Sequence, residues 1–387
     1  MRILIAHVSY RRRGGEDAVV EAEAGLLAEA DHDVRQLVLP SALFDEISPQ
    51  KRLQILLSPA WHQFGRTAMS EELEARPADV VHFHNVFPML GLGAVASAAE
   101  HGCATVRTVH NWRLSCIAGT HLRKGQPCHD CDATRRRAGI RYGCYRSSSL
   151  ASLEMARFCR ADWRAMTNGM YDGVLAVNAD IADTYASAGI PSEIITTKPN
   201  SVGFPLATSG TRRGVLYVGR LSAEKGIVGL VRSWPEAGCD LTVVGDGPLM
   251  DELTLCSGRN VRFLGSASEA QVEQHIAAAE CMVIPSLSDE GPPIVLLRAL
   301  AAGTPVVAFD TAVIGEVVRA IDSSCIVPLG DYDALAAAAC RLIPYRPHTG
   351  DAARAQYAAR YSHERNLLAL ESAYQRAIEH RKCASQE

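Results

Sequence analysis

The residues best suited to chemistry fall in a few short segments. Gly14-Gly15-Glu16-Asp17 lies between a predicted strand and a predicted helix. Glycines at such a junction let the backbone approach a ligand closely, and the helix N-terminus that follows favours an anion. Without a ligand, the segment reads as a plain strand–helix turn whose two acids complement the helix dipole. Arg220 and Lys225, framed by Gly219 and Gly226, follow a later predicted strand. Arginine offers phosphate oxygens a planar fork and lysine a point charge. An isolated Arg-x4-Lys would read as solvated surface. His82, His84 and Asn85 end one predicted strand, and His110 ends the next. Cys116, Cys128, Cys131 and Cys144 are spaced Cys-x11-Cys-x2-Cys-x12-Cys. Four thiolates would close a tetrahedral structural zinc site; otherwise these are separate core and loop thiols.

Short, β-branched, nearly continuous apolar runs must position these residues. They are Ile3–His7, Val34–Leu39, Val80–His84, Thr105–His110 and Gly173–Val177, then Val215–Val218, Asp240–Val244, Val261–Phe263, Met282–Pro285 and Pro305–Phe309. Helix-period stretches such as Asp17–Ala30, Glu269–Ala279 and Pro292–Ala302 lie between them. This alternation predicts doubly wound α/β architecture with parallel sheets covered on both faces. The pattern restarts after the polar, aperiodic segment Ser201–Arg213, so two domains are expected, 1–200 and 201–365. A long amphipathic helix, Ser362–Lys382, closes the chain, with 366–387 read as a separate helix and tail.

The 387 residues carry 39 Lys and Arg against 43 Asp and Glu, a formal charge of −4, and 48% are hydrophobic. Disorder as the main state is excluded, and wholesale nucleic-acid coating is disfavoured. No run approaches the roughly 18 apolar residues of a spanning helix. Met1–Val8 is too short for a secretory h-region. A cytosolic chain with reduced thiols is expected, and most of the 12 cysteines then read as small buried hydrophobes.

Four segments together resemble family 4 of the retaining glycosyltransferases, which have the GT-B fold of two facing Rossmann-like domains. They are Arg13-Gly14-Gly15-Glu16-Asp17, Gly219-Arg220-Leu221-Ser222-Ala223-Glu224-Lys225-Gly226, Gly245-Asp246-Gly247-Pro248 and Ser286-Leu287-Ser288-Asp289-Glu290-Gly291-Pro292-Pro293. The resemblance implies that His110, Arg220, Lys225 and Glu290 are catalytic. Glu290 would contact the transferred sugar, and the two cations would meet the charge growing on a departing nucleoside diphosphate. Gly15, Gly219, Gly245, Asp246, Gly247, Ser266, Gly291 and Arg298 would bind the donor. Gly14, Glu16, His84 and Asn85 would line the acceptor side. No catalytic metal is implied, and the last helix would cross back to the first domain. Pro292 and Pro293 suit a first helical turn.

One position departs from the family pattern. Arg298 stands where a second glutamate normally accepts hydrogen bonds from the ribose hydroxyls, and arginine accepts none. Such a charge-assisted bond is worth about 1.5–3 kcal/mol. Either Arg298 meets the nucleotide differently, or the donor is unusual, or the chain is weakened or non-catalytic.

The resemblance therefore implies a retaining transferase that moves a sugar from a UDP- or GDP-linked donor to a saccharide or lipid-linked acceptor, as in surface-polysaccharide assembly. Rival readings are a non-catalytic subunit of a transferase complex and a nucleotide-sugar epimerase. The segment around the four cysteines is also basic, with Arg113, Arg123, Lys124, Arg135, Arg136, Arg137, Arg141 and Arg146. It reads as a peripheral contact for anionic lipid or a lipid-linked pyrophosphate, or else as solvated surface.

Overall fold

The structure is a computed structural model that describes residues 1–11, 14–203, 211–235, 239–288, 291–342 and 346–384. The chain divides into two compact units. The first holds Met1–Thr120, His129–Pro199 and the chain from Asn366 on; the second holds His121–Cys128 and Asn200–Arg365.

The first unit is built on six parallel strands: β1 (Arg2–Ser9), β2 (Asp33–Pro40), β3 (Val80–Phe83), β4 (Ala104–Val109), β7 (Gly173–Ala176) and β8 (Ile195–Thr197). Between β4 and β7 the chain forms a two-stranded antiparallel ribbon, β5 (Leu122–Arg123) with β6 (Gln126–Pro127), which groups with the second unit. The sheet order is β2-β1-β3-β4-β7-β8. Register follows the apolar runs, with Leu4 opposite Val81 and Val81 opposite Thr105. β3 and β4 are buried along their whole length, as strands covered on both faces must be.

The second unit repeats the scheme with β9 (Val215–Val218), β10 (Leu241–Val244), β11 (Val261–Gly265), β12 (Cys281–Ile284), β13 (Val306–Phe309) and β14 (Ile326–Val327). Their order is β11-β10-β9-β12-β13-β14, all parallel. Every strand expected from the sequence forms, with ends displaced by at most two residues. The short edge strands β8 and β14 carry too few apolar residues to announce themselves.

Helix Gly15–Glu29 buries Val19, Val20, Glu23, Ala24, Leu26 and Leu27 against the first sheet. Helix His363–Ala384 buries Asn366, Leu370, Ala373, Tyr374 and Ala377, an i, i+4, i+7, i+8, i+11 stripe. That stripe packs with Ile3, Ile5, Val20 and Val106 of the first unit.

Two expectations need correction. Pro292 and Pro293 lie outside their helix: it begins at Ile294, and Pro293 is its N-cap with extended backbone. A proline disfavours the helical conformation in the residue before it, so Pro293 itself extends Pro292. The cysteines are also not uniformly reduced core filling, because Cys239 and Cys340 in the second unit form a disulfide.

Candidate active site

Doubly wound sheets bind ligands beyond the carboxyl ends of their strands, where the strand order reverses. In the first unit that point lies between β1 and β3. Buried His7, near the end of β1, places Nε2 2.9 Å from Asp17 Oδ1. Asp17 also accepts from the amides of Tyr10 (3.2 Å) and Gly14 (2.7 Å). Burial pushes this carboxyl up, but the His7 bond and the two amides outweigh it, so it stays below the usual range. The Gly14 amide is thus engaged internally. At Gly15 an added Cβ would meet nothing within 4 Å, which leaves open space at the helix start.

Glu16 accepts from the Tyr10 hydroxyl (2.7 Å) and from Asn111 Nδ2 (2.9 Å). Burial again pushes the carboxyl up. His110 in its protonated form, Arg113 and the two hydrogen bonds more than offset this, and Glu16 titrates below its ordinary value. Just beyond β4, His110 Nε2 lies 2.9 Å from His84 Nδ1, and the two rings stack at 21°. Burial lowers His110 to about 4 despite the pull of Glu16, with Lys198, His7 and Arg107 adding to the shift. It is therefore neutral near pH 7. Burial also drives His82 and His84 well below the ordinary imidazole value. Asn85 is fixed by its side-chain donation to Val8 O at 2.8 Å. Glu16, His84, Asn85, Arg107, His110 and Arg113 share one pocket, with about 40 Å³ of water-accessible space. That is room for a few waters or one small polar group. Of the expected first-unit residues, Glu16, His84, Asn85 and His110 are thus brought together.

In the second unit the order reverses between β9 and β12. Arg220 is exposed just past β9, and half-buried Lys225 ends a single helical turn, Ala223–Lys225. The loops after β9 and β10 interlock. Gly219 N donates to Val244 O (3.0 Å), Leu221 N to Asp246 O (3.0 Å) and Gly245 N to Gly265 O (2.8 Å). A Cβ on Gly245, whose φ is +142°, would lie 1.9 Å from Gly219 O; one on Gly247 would lie 2.3 Å from Leu221 O. Asp246 caps the turn by accepting from Gly247 N at 2.7 Å. Leu287 N donates to Glu224 O (2.9 Å), which ties the loop after β12 to the cationic loop. Ser266 is exposed just past β11, and Gly291 is buried before helix Ile294–Ala302. Glu290 lies outside the described residues. Arg298 pairs with Glu269 (3.0 Å) and Glu273 (3.6 Å) of helix Glu269–Ala278.

Two family models match the chain: Glycosyltransferase Family 4 over residues 13–203, and Glycosyl transferases group 1 over residues 212–344. The chain belongs to glycosyltransferase family 4. A phosphatidyl-myo-inositol mannosyltransferase of Mycolicibacterium smegmatis is 28% identical over 54% of this chain and 59% of its own length. The curated relatives are matched over 17–59% of their own length. Among solved structures, sucrose-phosphate synthase of Thermosynechococcus elongatus aligns with TM-score 0.69 at 18% identity, covering 98% of this chain and 100% of the other. Anabaena Alr3699/HepE in complex with UDP and glucose aligns with TM-score 0.63 at 15% identity, covering 96% and 99%. These likenesses fix the GT-B fold.

Sequence reasoning missed Glu23, Lys198, Tyr374, Thr108 and His7 behind this family-4 site. Glu23 pairs with Lys198 in full burial, His82 meets Tyr374 Oη (2.8 Å) and Thr108 Oγ1 (2.6 Å), and Asp17 holds His7. The available signal was a glutamate on the apolar face of helix Gly15–Glu29. Among the described residues, Glu23, His82 and His84 form the group whose potential ligand atoms lie within 4.8 Å of one another. They do not fit a metal. Both His82 nitrogens are engaged, and the Lys198 ammonium already supplies the positive charge beside Glu23. Cys116, Cys128, Cys131 and Cys144 are half-buried thiols outside that group. In the basic segment, Arg136 turns inward to Leu114 O (2.6 Å) and is 5% exposed, whereas Lys124, Arg135, Arg137, Arg141 and Arg146 are exposed.

Proposed function

We propose that this family-4 chain is a retaining glycosyltransferase that moves a sugar from a UDP- or GDP-linked donor to a saccharide or lipid-linked acceptor in surface-polysaccharide or glycoconjugate assembly. The observation that carries the reading is the cationic loop Arg220–Lys225 at the strand-order switch of the second unit, backed by interlocked glycine turns. A donor diphosphate there meets fixed charges that stabilise the leaving group as its negative charge grows. Rigid turns keep those charges from having to reorganise during reaction. Glu290 contacts the transferred sugar in this reading, and neutral His110 with ionised Glu16 receives the acceptor. The solved relative bound to UDP and glucose supports a uridine donor.

A thermal-shift screen of UDP- and GDP-sugars tests this reading. Donor at 100 times its Kd should add about 2.7 kcal/mol of stability. Arg220→Ala and Lys225→Ala should each cost about 10²–10³ in turnover, with NMR of the product reporting the anomeric configuration. A chain that no nucleotide sugar stabilises, and that hydrolyses none, would be the non-catalytic subunit.

Peripheral contact with anionic lipid is part of the same proposal. Leu53, Leu57 and Trp61 are 56%, 63% and 50% exposed, a costly display unless something apolar covers it. Arg157, on the helix that also exposes Leu150 and Leu153, donates to Leu57 O at 2.8 Å. Through exposed Lys124, Arg135, Arg137, Arg141 and Arg146 of the basic segment, vesicles containing anionic lipid should retain the chain at low salt and lose it when Arg135, Arg137 and Arg141 are neutralised. Among the described residues no helix is long and apolar enough to cross a membrane. The Cys-x2-Cys pair Cys128–Cys131 supports a structural zinc; stoichiometric zinc after purification under reducing conditions checks that proposal, and no step above passes through it.

A further inference from the structure

A buried glutamate on the apolar face of a helix needs a reason. Glu23 is 2% exposed, in line with Val20 and Leu27. Its Oε1 bonds the Lys198 ammonium, itself 0% exposed, so the pair is electrically neutral as a whole. Its Oε2 has no hydrogen-bond partner. His84 Nε2, also buried and without a partner, lies 3.6 Å away. Two complementary groups left unsatisfied face to face would each carry a desolvation cost. A proton on His84 Nε2 makes this 3.6 Å contact attractive, an N–H edge facing a carboxylate oxygen. The opposite tautomer would aim an imidazole lone pair at a carboxylate lone pair.

The consequence passes along the chain of rings. A neutral His84 protonated at Nε2 has its lone pair at Nδ1. The 2.9 Å bond to His110 then runs from His110 Nε2–H to His84 Nδ1. A neutral His110 so protonated has its lone pair at Nδ1, which no described residue occupies. His82 cannot substitute for His84, since Tyr374 and Thr108 take both its nitrogens.

We propose that Glu23, clamped by Lys198, is a positioning residue that sets the tautomers of His84 and His110, so that His110 presents Nδ1 to the pocket as a hydrogen-bond acceptor for a substrate hydroxyl. The charged and titratable groups around the two rings are Glu16 and Glu23 on helix Gly15–Glu29, His7 on β1, His82 on β3, Arg107 on β4 and Lys198 after β8. The substrate half of the proposal rests on the transferase reading. The tautomer half does not.

The test uses the full chain with ¹⁵N-labelled histidine, the His110 signals being assigned by their loss in His110→Gln. Near pH 7, wild-type His110 should show an unprotonated Nδ1 and a protonated Nε2. In Glu23→Gln the amide oxygen turns to Lys198 and the amide nitrogen donates to His84 Nε2, which should reverse both tautomers. Tyr374→Phe unties His82 but keeps the Glu23–His84 contact, and should leave the His110 pattern unchanged. A wild-type His110 protonated at Nδ1 overturns the proposal, even if the glutamine variant fails to fold. So does a folded Glu23→Gln with wild-type tautomers. In transfer assays Glu23→Gln should lower kcat about tenfold with donor KM unchanged. A wild-type chain without transfer would sink the activity and leave the tautomer result standing.

Discussion

Asp17 shows how much one residue can organise. It gathers His7 from β1, the Tyr10 amide and the Gly14 amide, and so fixes the loop from which Glu16 reaches the pocket. Asp17→Ala strands three donors, and about 3 kcal/mol of stability should be lost in urea unfolding. The Asp17 carboxyl titrates lower in the fold than in the unfolded chain. Its contribution is therefore present above about pH 4 and lost as pH falls through the lowered value. The histidines act over a different window. With His110 lowered to about 4, the unfolded chain binds a proton that the folded one refuses between about pH 6.5 and 4. Melting temperature should fall on acidification across that range, and His110→Gln should flatten the slope. His110, Glu16 and His84 were legible in the sequence because each sits at a strand end or helix start. Glu23, Lys198 and Tyr374 were not. Glu23 and Lys198 are 175 positions apart, and only the folded sheet brings them together.

At the level of elements, hydrophobic runs named ten of the twelve parallel strands, all eight central ones among them, because a strand buried on both faces has no polar alternation to obscure it. Turn chemistry was legible wherever glycine is required. Gly226 (φ +68°) ends the turn carrying Lys225 and begins helix Ile227–Arg232, and a Cβ there would lie 1.9 Å from Pro285 O. Gly226→Ala must therefore both strain the backbone and push the loop after β12 away. Donor stabilisation should fall further than the 1–2 kcal/mol or so lost from folding, as judged by melting with and without nucleotide sugar. Arg298 was legible as a departure but not in its partner. It lies on helix Ile294–Ala302 and bonds carboxylates of helix Glu269–Ala278. Arg298→Glu would crowd three carboxylates together, so Arg298→Gln is the cleaner probe. It should cost about 1 kcal/mol by releasing one partly exposed ion-pair network. A change in donor affinity beyond that would show that the guanidinium also serves the nucleotide.

For the molecule as a whole, the decisive device is the final helix, which the sequence marks as amphipathic and which the family resemblance expects to cross back to the first domain. From Asn366 on it belongs to the first unit, although the second unit intervenes in the chain. Leu370, Ala373, Tyr374 and Ala377 are 5% exposed or less, and they close the core over Ile3, Ile5 and Val106. Polar contacts fix its register: Asn366 Nδ2 donates to Pro199 O (2.8 Å), the Tyr374 hydroxyl meets His82, and His380 and Arg381 hold fully buried Asp172 at 2.9 Å each. Burying Leu370 and Tyr374 alone is worth about 1.5–3 kcal/mol each. Leaving the Asp172 carboxylate buried without the Arg381 guanidinium and the His380 hydrogen bond would cost about 3–5 kcal/mol more. Together these rival the whole stability of a domain, roughly 5–15 kcal/mol. A chain ending at Arg365 should therefore lose the cooperative melting of the first unit and expose apolar surface to a hydrophobic dye. Tyr374→Phe, which keeps the ring and removes only the hydroxyl, should cost about 1 kcal/mol. If the truncated chain melted like the full one, the helix would be an attachment and not part of the core. The buried histidines of the site would then owe nothing to residues nearly 300 positions away.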